Sequence, residues 1–294
     1  MFAKLLLGLM LVMTPADPPA TAATAVTRFM EQLDSVAVQP HQARAEAIRD
    51  RYRELLVPLD PQDLADRDMD ALLVASMTAA GLANDRAIAK HALAIFDEMA
   101  KRSLLIERRY GDMQQLYVNL RDFEAARAFH AAFGDEHVLD PVPDVLPAAG
   151  FDPARRSVLV PVGMGALQAR NFDATQDDFV LVVADPLCHF TQDAANAIGL
   201  DPDLHAYFAN HSRWVAPYGV RLETRLVDAW NARFPAFPMV LVDDIRTWPD
   251  IDYWGTPTFY VFVQGQVVET IRGWPGEGRA DELKRALGIR RTDP

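Results

Sequence analysis

Apolar side chains recur in steps of three and four through the first half of the chain, from residue 24 to residue 133. The clearest stripes are Ile48, Tyr52, Leu55, Leu56 and Leu59, then Ile88, Ala92, Ile95, Phe96 and Met99, then Met113, Leu116, Tyr117 and Leu120, and then Phe123, Ala126, Phe129 and Phe133. Such spacing places the side chains on one face of a helix. Asn84 and Asp85 stand where an N-cap is expected, and Arg121-Asp122 indicates a short break between two helices. The pattern predicts an all-α domain over residues 24–133.

One piece of this helical region, QLYVNLRDFEAARAFH, resembles a helical hairpin of a tetratricopeptide-like array. It covers about half of one repeat, and the neighbouring segments do not match it at a fixed period. Because repeat arrays need about three stacked repeats for stability, an irregular helical bundle stays open beside a repeat-like domain.

The second half of the chain has a different pattern. Residues 134–156 are rich in Pro and Asp and show no periodicity, which predicts a linker or an extended entry segment. Short apolar runs typical of buried strands follow. They cover residues 157–160, 179–183, 239–242 and 258–263, and a further strand-like run over residues 266–272 follows. Gln264-Gly265 between the last two runs indicates a hairpin, and residues 279–287 form an amphipathic pattern that predicts a closing helix. We therefore expect an α/β domain over residues 157–294.

The N-terminal segment has the layout of a secretory signal. Lys4 precedes an apolar run over residues 5–13, and Ala20-Thr21-Ala22 fits an A-x-A cleavage site. These features predict a signal peptide over residues 1–22 and a periplasmic or secreted protein, with a disordered tail as the other interpretation. The run is too short to span a bilayer about 30 Å thick, and no later run reaches about 20 apolar residues. We expect no transmembrane span in the mature chain.

The net charge and the single cysteine argue against some classes of function. The formal net charge of −12 argues against nucleic-acid binding, which needs clustered Lys and Arg to neutralise phosphates. A single cysteine, Cys188, excludes an internal disulfide, so its thiol is inert, reactive or paired with another molecule. His205 and His211 are six residues apart and Cys188 and His189 are adjacent, so their spacing indicates no tetrahedral zinc set. We expect no metal and no cofactor.

Two segments carry the candidate chemistry. The first, FVLVVADPLCHFTQDAANAI, indicates a buried strand, a short turn and a helix whose first turn contains Cys188. In the second, YWGTPTFYVFVQGQVVETIRGW, Thr256-Pro257-Thr258 leads into a strand and hairpin that end at Gly273-Trp274. Together they resemble the thioredoxin superfamily, in which Cys-X-X-Cys opens a helix after a central strand and a cis-proline precedes the next strand. The resemblance covers roughly residues 157–289 and implies a central mixed sheet flanked by helices.

The resemblance implies roles for individual residues. Cys188 takes the place of the nucleophilic cysteine, and Pro257 takes that of the cis-proline. Thr191 occupies the second cysteine position, so that Cys188-His189-Phe190-Thr191 is a monothiol version of the motif. Leu187 stands where thioredoxins usually have Trp. The stretch between the two motifs is long and contains two predicted helices, one from Asp201-Pro202-Asp203 and one around Trp230, which we interpret as an insertion.

The position of Cys188 has a physical consequence of its own. A thiol in the first turn of a helix lies near the positive end of the helix dipole and unpaired amide donors, which favour the thiolate. We therefore expect a lowered pKa and a reactive thiol, an effect that a protonated His189 would strengthen. The Thr191 hydroxyl, one turn along the helix, could donate a hydrogen bond to the sulfur. The other interpretation is an inert, buried cysteine that happens to open a helix.

These inferences lead to one main functional hypothesis and one alternative. The main hypothesis is monothiol exchange through Cys188 with cysteine-containing client proteins or small thiols, an external thiol resolving the mixed disulfide. Thr256 and Pro257 would shape a docking edge for an extended client, and the helical domain would offer a partner surface. The alternative is a redox-inert binding or scaffold protein that uses both domains only for contacts.

Overall fold

The computed structural model describes residues 22–36, 40–163, 165–172, 178–217, 222 and 224–289. The predicted signal peptide, residues 1–22, lies outside this range except for Ala22, which is the first residue of a helix. In the described ranges no helix is long and apolar enough to cross a membrane.

Six helices form the first part of the described chain, which agrees with the helical pattern over residues 24–133. They are α1 (Ala22–Val36), α2 (His41–Leu55), α3 (Asp66–Ala83), α4 (Arg86–Lys101), α5 (Glu107–Asn119) and α6 (Phe123–Phe133), with a short 3₁₀ helix at Pro61–Asp63. Their interior is formed by the residues of the apolar stripes, such as Ile48, Ile95, Phe96, Met113 and Ala126, which are all fully buried. We refer to α1–α6 as the helical unit.

Local capping residues set the ends of these helices. The Asp85 carboxylate accepts hydrogen bonds from the amides of Ala87 and Ile88, and Asn84 adopts a left-handed conformation (φ 48°) that ends α3. The Asp122 side chain accepts from the Ala125 amide and starts α6. The α3–α4 and α5–α6 turns therefore lie where the sequence indicates them.

The rest of the chain forms a mixed eight-stranded sheet with order β1-β3-β2-β6-β5-β4-β7-β8. The strands are β1 (Val145–Pro147), β2 (Ser157–Pro161), β3 (Leu167–Asn171), β4 (Phe179–Val183), β5 (Ser212–Ala216), β6 (Met239–Val242), β7 (Thr258–Val263) and β8 (Gln266–Arg272). Strands β4, β5 and β6 run parallel, whereas β7 is antiparallel to both β4 and β8. The fold is thus mixed α/β with an all-α unit before the sheet.

Four further helices belong to this part: α7 (His189–Leu200), α8 (Pro202–His211), α9 (Thr224–Arg233) and α10 (Ala280–Ala286). A short 3₁₀ helix, Ile245–Thr247, follows β6. Helix α8 contacts α7, α10 and strands β4 and β5. The strand–helix–strand unit, the hairpin and the final helix occur in the predicted order. We refer to residues 145–289 as the α/β unit.

The strands bury side chains on both faces of the sheet, as expected for nearly continuous apolar runs. Val182, Trp214 and Phe259 lie in one hydrophobic cluster, which continues into the helical unit through residues such as Phe29 and Phe96. Leu181, Val183, Val215, Tyr260 and Phe262 lie in a second cluster with Trp248 and Ile251. The larger core is therefore shared by the two units.

Two segments refine the sequence-based interpretation. Residues 134–156, expected as a linker or an extended entry segment, contain β1, and Leu139, Val142 and Phe151 pack against the larger core, so the segment is an extended entry to the sheet although most of its residues are exposed. The expected insertion between the motifs contains β5, which pairs with β4 and begins directly after α8. Strand β5 is short and begins with the polar residues Ser212 and Arg213, so the sequence does not show the apolar run expected of a buried strand.

Polar contacts join the helical unit to the α/β unit. Arg121, between α5 and α6, donates from Nε and Nη2 to the Val242 carbonyl at the end of β6, at 3.2 and 3.1 Å. The His41 amide at the start of α2 donates to the Asp252 carbonyl at 2.8 Å. The helical unit is therefore joined to the last residue of β6 and to the segment that precedes Pro257.

Candidate functional site

Cys188 lies at the N-cap of α7, directly after the turn that leaves β4. All five side chains of β4 are buried, and the polar turn starts at Asp185. The Asp185 carboxylate accepts from the Leu187 amide at 2.8 Å, and its carbonyl accepts from the Cys188 amide at 3.0 Å. This turn starts the helix at the cysteine, as the sequence pattern predicts.

The register of the sheet brings the two motifs together. Val183, the last residue of β4, pairs with Thr258, the first residue of β7, in antiparallel register. The chain leaving β4 and the chain entering β7 therefore lie side by side. The Cys188 Sγ lies 3.6 Å from the Thr256 carbonyl oxygen and donates to it. The Thr256–Pro257 peptide bond is cis.

Tyr260 holds the segment before Pro257 in place. Its hydroxyl accepts from the Tyr253 amide at 2.9 Å and lies 2.8 Å from the Tyr253 carbonyl and 2.9 Å from Asp252 Oδ1. Burial and the neighbouring Asp252 raise the pKa of this hydroxyl, so it stays protonated. The Thr258 hydroxyl donates to the Gly255 carbonyl at 2.6 Å. Reasoning from the sequence missed Tyr260, because its position on β7 indicates only a core residue.

Thr191 is fully buried under the turn, and its orientation differs from the expectation. Its Oγ1 accepts from the Asp185 amide at 3.4 Å. In the described part of the chain no hydrogen bond joins Thr191 to Cys188. The expected bond to the sulfur is absent because the hydroxyl faces the backbone of the β4–α7 turn.

The surface around the thiol is apolar and exposed. Leu187 is 65% exposed and Phe190 is 44% exposed, whereas Cys188 itself is half-buried. His189 is exposed, and its ring lies 3.8 Å from the Phe190 ring, centroid to centroid. Among the described contacts His189 has none with the sulfur. The site thus combines a reachable thiol with two exposed apolar side chains.

The described residues contain no cluster of three or more His, Cys, Asp or Glu side chains that could hold a metal ion. Of the predicted site residues, the structure brings Cys188, Thr256 and Pro257 together and places Thr191 beneath them. It leaves His189 on the surface beside them.

Comparisons with known proteins add little to this geometry. No family model matches the chain, and a search of curated proteins finds no match. A search of solved structures finds a thioredoxin-like protein from Bacteroides caccae, with 12% sequence identity and a TM-score of 0.30, covering 97% of this chain and 100% of that chain. A likeness this distant does not bear on the function.

Proposed function

We propose that the α/β unit is a thioredoxin-like domain and that the protein engages client proteins by monothiol thiol–disulfide exchange through Cys188. The observation that carries the proposal is the 3.6 Å contact between Cys188 Sγ and the Thr256 carbonyl, next to a cis-proline that opens β7. The strand–turn–helix places the cysteine at the start of α7, near the positive end of the helix dipole, which is an environment typical of a nucleophile.

Thiol–disulfide exchange needs no separate oxidant or reductant, because the electrons stay on the sulfur atoms that exchange partners. The Cys188 thiolate attacks one sulfur of a client disulfide, the new S–S bond forms, and the other client sulfur leaves as a thiolate that takes a proton from water. Because the chain has one cysteine, release needs an external thiol. Its thiolate attacks the client's sulfur in the mixed disulfide, and Cys188 leaves as the thiolate.

The exposed apolar surface supports a polypeptide client. Leu187 and Phe190 flank the thiol and are both exposed. An extended client segment would cover them and pair with backbone groups near Thr256. We also propose export to the periplasm or beyond, on the strength of the signal-like segment over residues 1–22, since disulfides persist in such compartments.

A second candidate function, redox-inert binding, has its own supporting observation. The Cys188 Sγ donates to the Thr256 carbonyl, and only the protonated thiol can make that bond. The Thr191 hydroxyl is also directed to the Asp185 amide rather than to the sulfur. In this candidate the same surface would bind a partner without covalent chemistry.

Thiol trapping distinguishes the two candidates. We expect the wild-type protein to form a mixed disulfide with insulin that resists non-reducing electrophoresis and is lost in Cys188→Ala. The matched control is Cys188→Ala combined with Asn196→Cys, which places an ordinary exposed thiol on the same helix. If this control traps insulin as readily as the wild type does, Cys188 has no special reactivity and inert binding is the better explanation.

A second variant tests the scaffold around the thiol. Thr191→Cys places a second sulfur one helical turn from Cys188, within the Cα separation of about 4.4–6.8 Å that a disulfide needs. In oxidised glutathione we expect an internal disulfide, seen as the loss of two free thiols, and insulin reduction when a reductant is supplied. A variant that keeps both free thiols would contradict the proposed arrangement.

A further inference from the structure

A groove of about 540 Å³ lies between the helical unit and the segment that precedes Pro257. Its walls include His41, Ala45 and Glu46 of α2 on one side, and Ile245, Trp248 and Trp254 of the α/β unit on the other. We call it the inter-unit groove. Trp254 precedes Thr256 by two residues, and the Thr256 carbonyl contacts the Cys188 sulfur. The segment that leads into Pro257 therefore contributes both to the groove and to the thiol site.

Both walls of the groove are held in place. The His41 amide donates to the Asp252 carbonyl at 2.8 Å, which fixes the start of α2 to the far wall. Trp248 is buried, and Trp254 packs edge-on against it with ring centroids 6.1 Å apart. Since Trp254 is itself only half-buried, it offers an aromatic surface to the groove. A site of this kind is formed before its ligand arrives.

Three of the charged side chains that line the groove form an ion pair, and a fourth does not. Arg49 pairs with Asp85 at 2.8 Å, Arg246 pairs with Asp244 at 2.7 Å, and Asp252 pairs with Arg272 at 3.1 Å. Glu46 is exposed and forms no ion pair within the described ranges.

His41 adds no compensating charge at pH 7. Burial and the nearby Arg44 and Arg49 lower the pKa of His41, so its imidazole is neutral at this pH. Glu46 and Asp252 therefore balance Arg49 and Arg246 in formal charge among the lining residues, and Glu46 is the one of these four that has no ion pair among the described contacts. It lies above an aromatic and aliphatic floor.

We propose that the inter-unit groove binds the polypeptide that flanks a client's reactive cysteine, as an extended segment with apolar residues over Trp254 and a Lys or Arg facing Glu46. The identity of this occupant rests on the proposed function, because a client joined to Cys188 must continue across the neighbouring surface. An extended chain advances about 3.3–3.6 Å per residue, so a few residues from the cysteine suffice to reach Trp254. The volume lies within the usual range of about 300–1,000 Å³ for ligand sites.

Charge complementarity favours a basic segment. A cationic side chain would meet the Glu46 carboxylate and could also lie on the face of Trp254, an arrangement that attracts cations. An acidic segment would meet like charge at Glu46 and a chain whose net charge is −12. The groove thus selects clients by the residues beside the cysteine, which the thiol itself does not distinguish.

Peptide binding to the full chain tests the proposal without any thiol chemistry. The probes are two fluorescein-labelled, cysteine-free octapeptides in which valines alternate with serines, identical except for Lys or Glu at one central position. By anisotropy we expect the Lys peptide to bind about two- to fivefold more tightly, the range of an exposed ion pair. Glu46→Lys should reverse the preference, and Gln42→Trp, at the rim, should weaken both peptides.

The matched control is Asp50→Lys, which makes the same charge change at an exposed position of α2 outside the groove. It should keep the wild-type preference. Absence of binding, or an equal effect of Glu46→Lys and Asp50→Lys, would overturn the proposal. Self-association of the wild type that Glu46→Lys abolishes would place a second copy in the groove and also overturn it.

Reaction of Cys188 with a small aromatic disulfide, 5,5′-dithiobis(2-nitrobenzoate), is measured separately. An unreactive thiol together with selective peptide binding would refute the exchange function and keep the groove. A reactive thiol without selective binding would do the reverse. The two failures are therefore distinguishable.

Discussion

Tyr52 in the helical unit shows how one buried polar side chain organises its neighbours. Its side chain is almost fully buried, and the hydroxyl donates to Ser76 Oγ at 2.8 Å and lies 2.7 Å from His91 Nδ1. Burial raises the pKa of Tyr52 to about 12 and lowers that of His91 below its usual value of 6.5. The network is therefore neutral at pH 7, which avoids placing a charge inside the helical unit.

This network predicts a pH dependence of stability. Because the folded-state pKa of His91 lies below that of the unfolded chain, the unfolded state binds more protons as the pH falls through 6.5. The contribution of His91 is complete above this pH and decreases below it. We expect the free energy of unfolding of the wild type, measured by urea titration, to fall between about pH 7.5 and 5.5 more than that of His91→Gln.

The control for this measurement is His189→Gln, which removes an exposed histidine outside the network. It should retain the wild-type pH dependence. Equal slopes for the wild type and His91→Gln would show that His91 does not couple protonation to folding.

At the candidate site, residue identities were more predictable than residue orientations. Cys188 follows β4 and Pro257 precedes β7, and both strands have a clear apolar pattern. Because the two strands pair, the two residues lie beside each other. The orientation of Thr191 depends on the backbone of the Asp185 turn, and the environment of Trp254 depends on a helix far away in sequence. Neither the orientation of Thr191 nor the environment of Trp254 can be read from the residues next to it in the sequence.

Among the secondary-structure elements, strands with an apolar run or a hairpin turn signal were predictable, and short strands with neither were not. Strands β4, β6, β7 and β8 were expected at the bounds that the structure has. Strand β3 reads LQARN, with two polar residues and one charged residue, so its stability comes from pairing with β2 and β1 rather than from its own pattern. Strand β1 has three residues and an edge position, which gives no detectable period.

The turn between α5 and α6 connects the helical unit to the sheet through Arg121. This residue is buried, and besides Val242 its guanidinium donates to the carbonyls of Val118 and Asn119, at 3.3 and 3.2 Å. We expect Arg121→Ala to lower the free energy of unfolding by about 2–4 kcal/mol, because buried carbonyls lose a charged donor. Arg121→Lys should recover only part of this, since an ammonium group lacks the planar fork.

Arg127→Ala is the matched control for this prediction, since it removes an exposed arginine from the neighbouring helix α6. Its effect should stay within about 0.5 kcal/mol. An Arg121→Ala variant as stable as Arg127→Ala in chemical denaturation would show that the contact with β6 contributes nothing to holding the units together.

At the scale of the whole molecule, the two units share a core. One hydrophobic cluster extends from Ala25 in α1 to Leu283 in α10, and side chains of the segment 134–156 pack against it. The sequence predicts a helical domain and an α/β domain with a linker or an extended entry segment between them, since the change from helical periodicity to Pro-rich chain is typical of a boundary. Periodicity reports which face of an element is buried but not which element covers it.

A shared core predicts that the units unfold together. In scanning calorimetry we expect a single transition whose calorimetric and van't Hoff enthalpies agree, as for one cooperative unit. Limited proteolysis should spare residues 144–148 under native conditions, because the backbone of β1 and its flanks is hydrogen-bonded to β3, whereas an unpaired linker would be cut. Arg121→Ala should move the whole transition rather than split it, since unfolding either unit exposes the core of the other. Two separate transitions, or early cleavage within residues 144–148, would mean that the units are independent domains. The inter-unit groove would then change its width as they move.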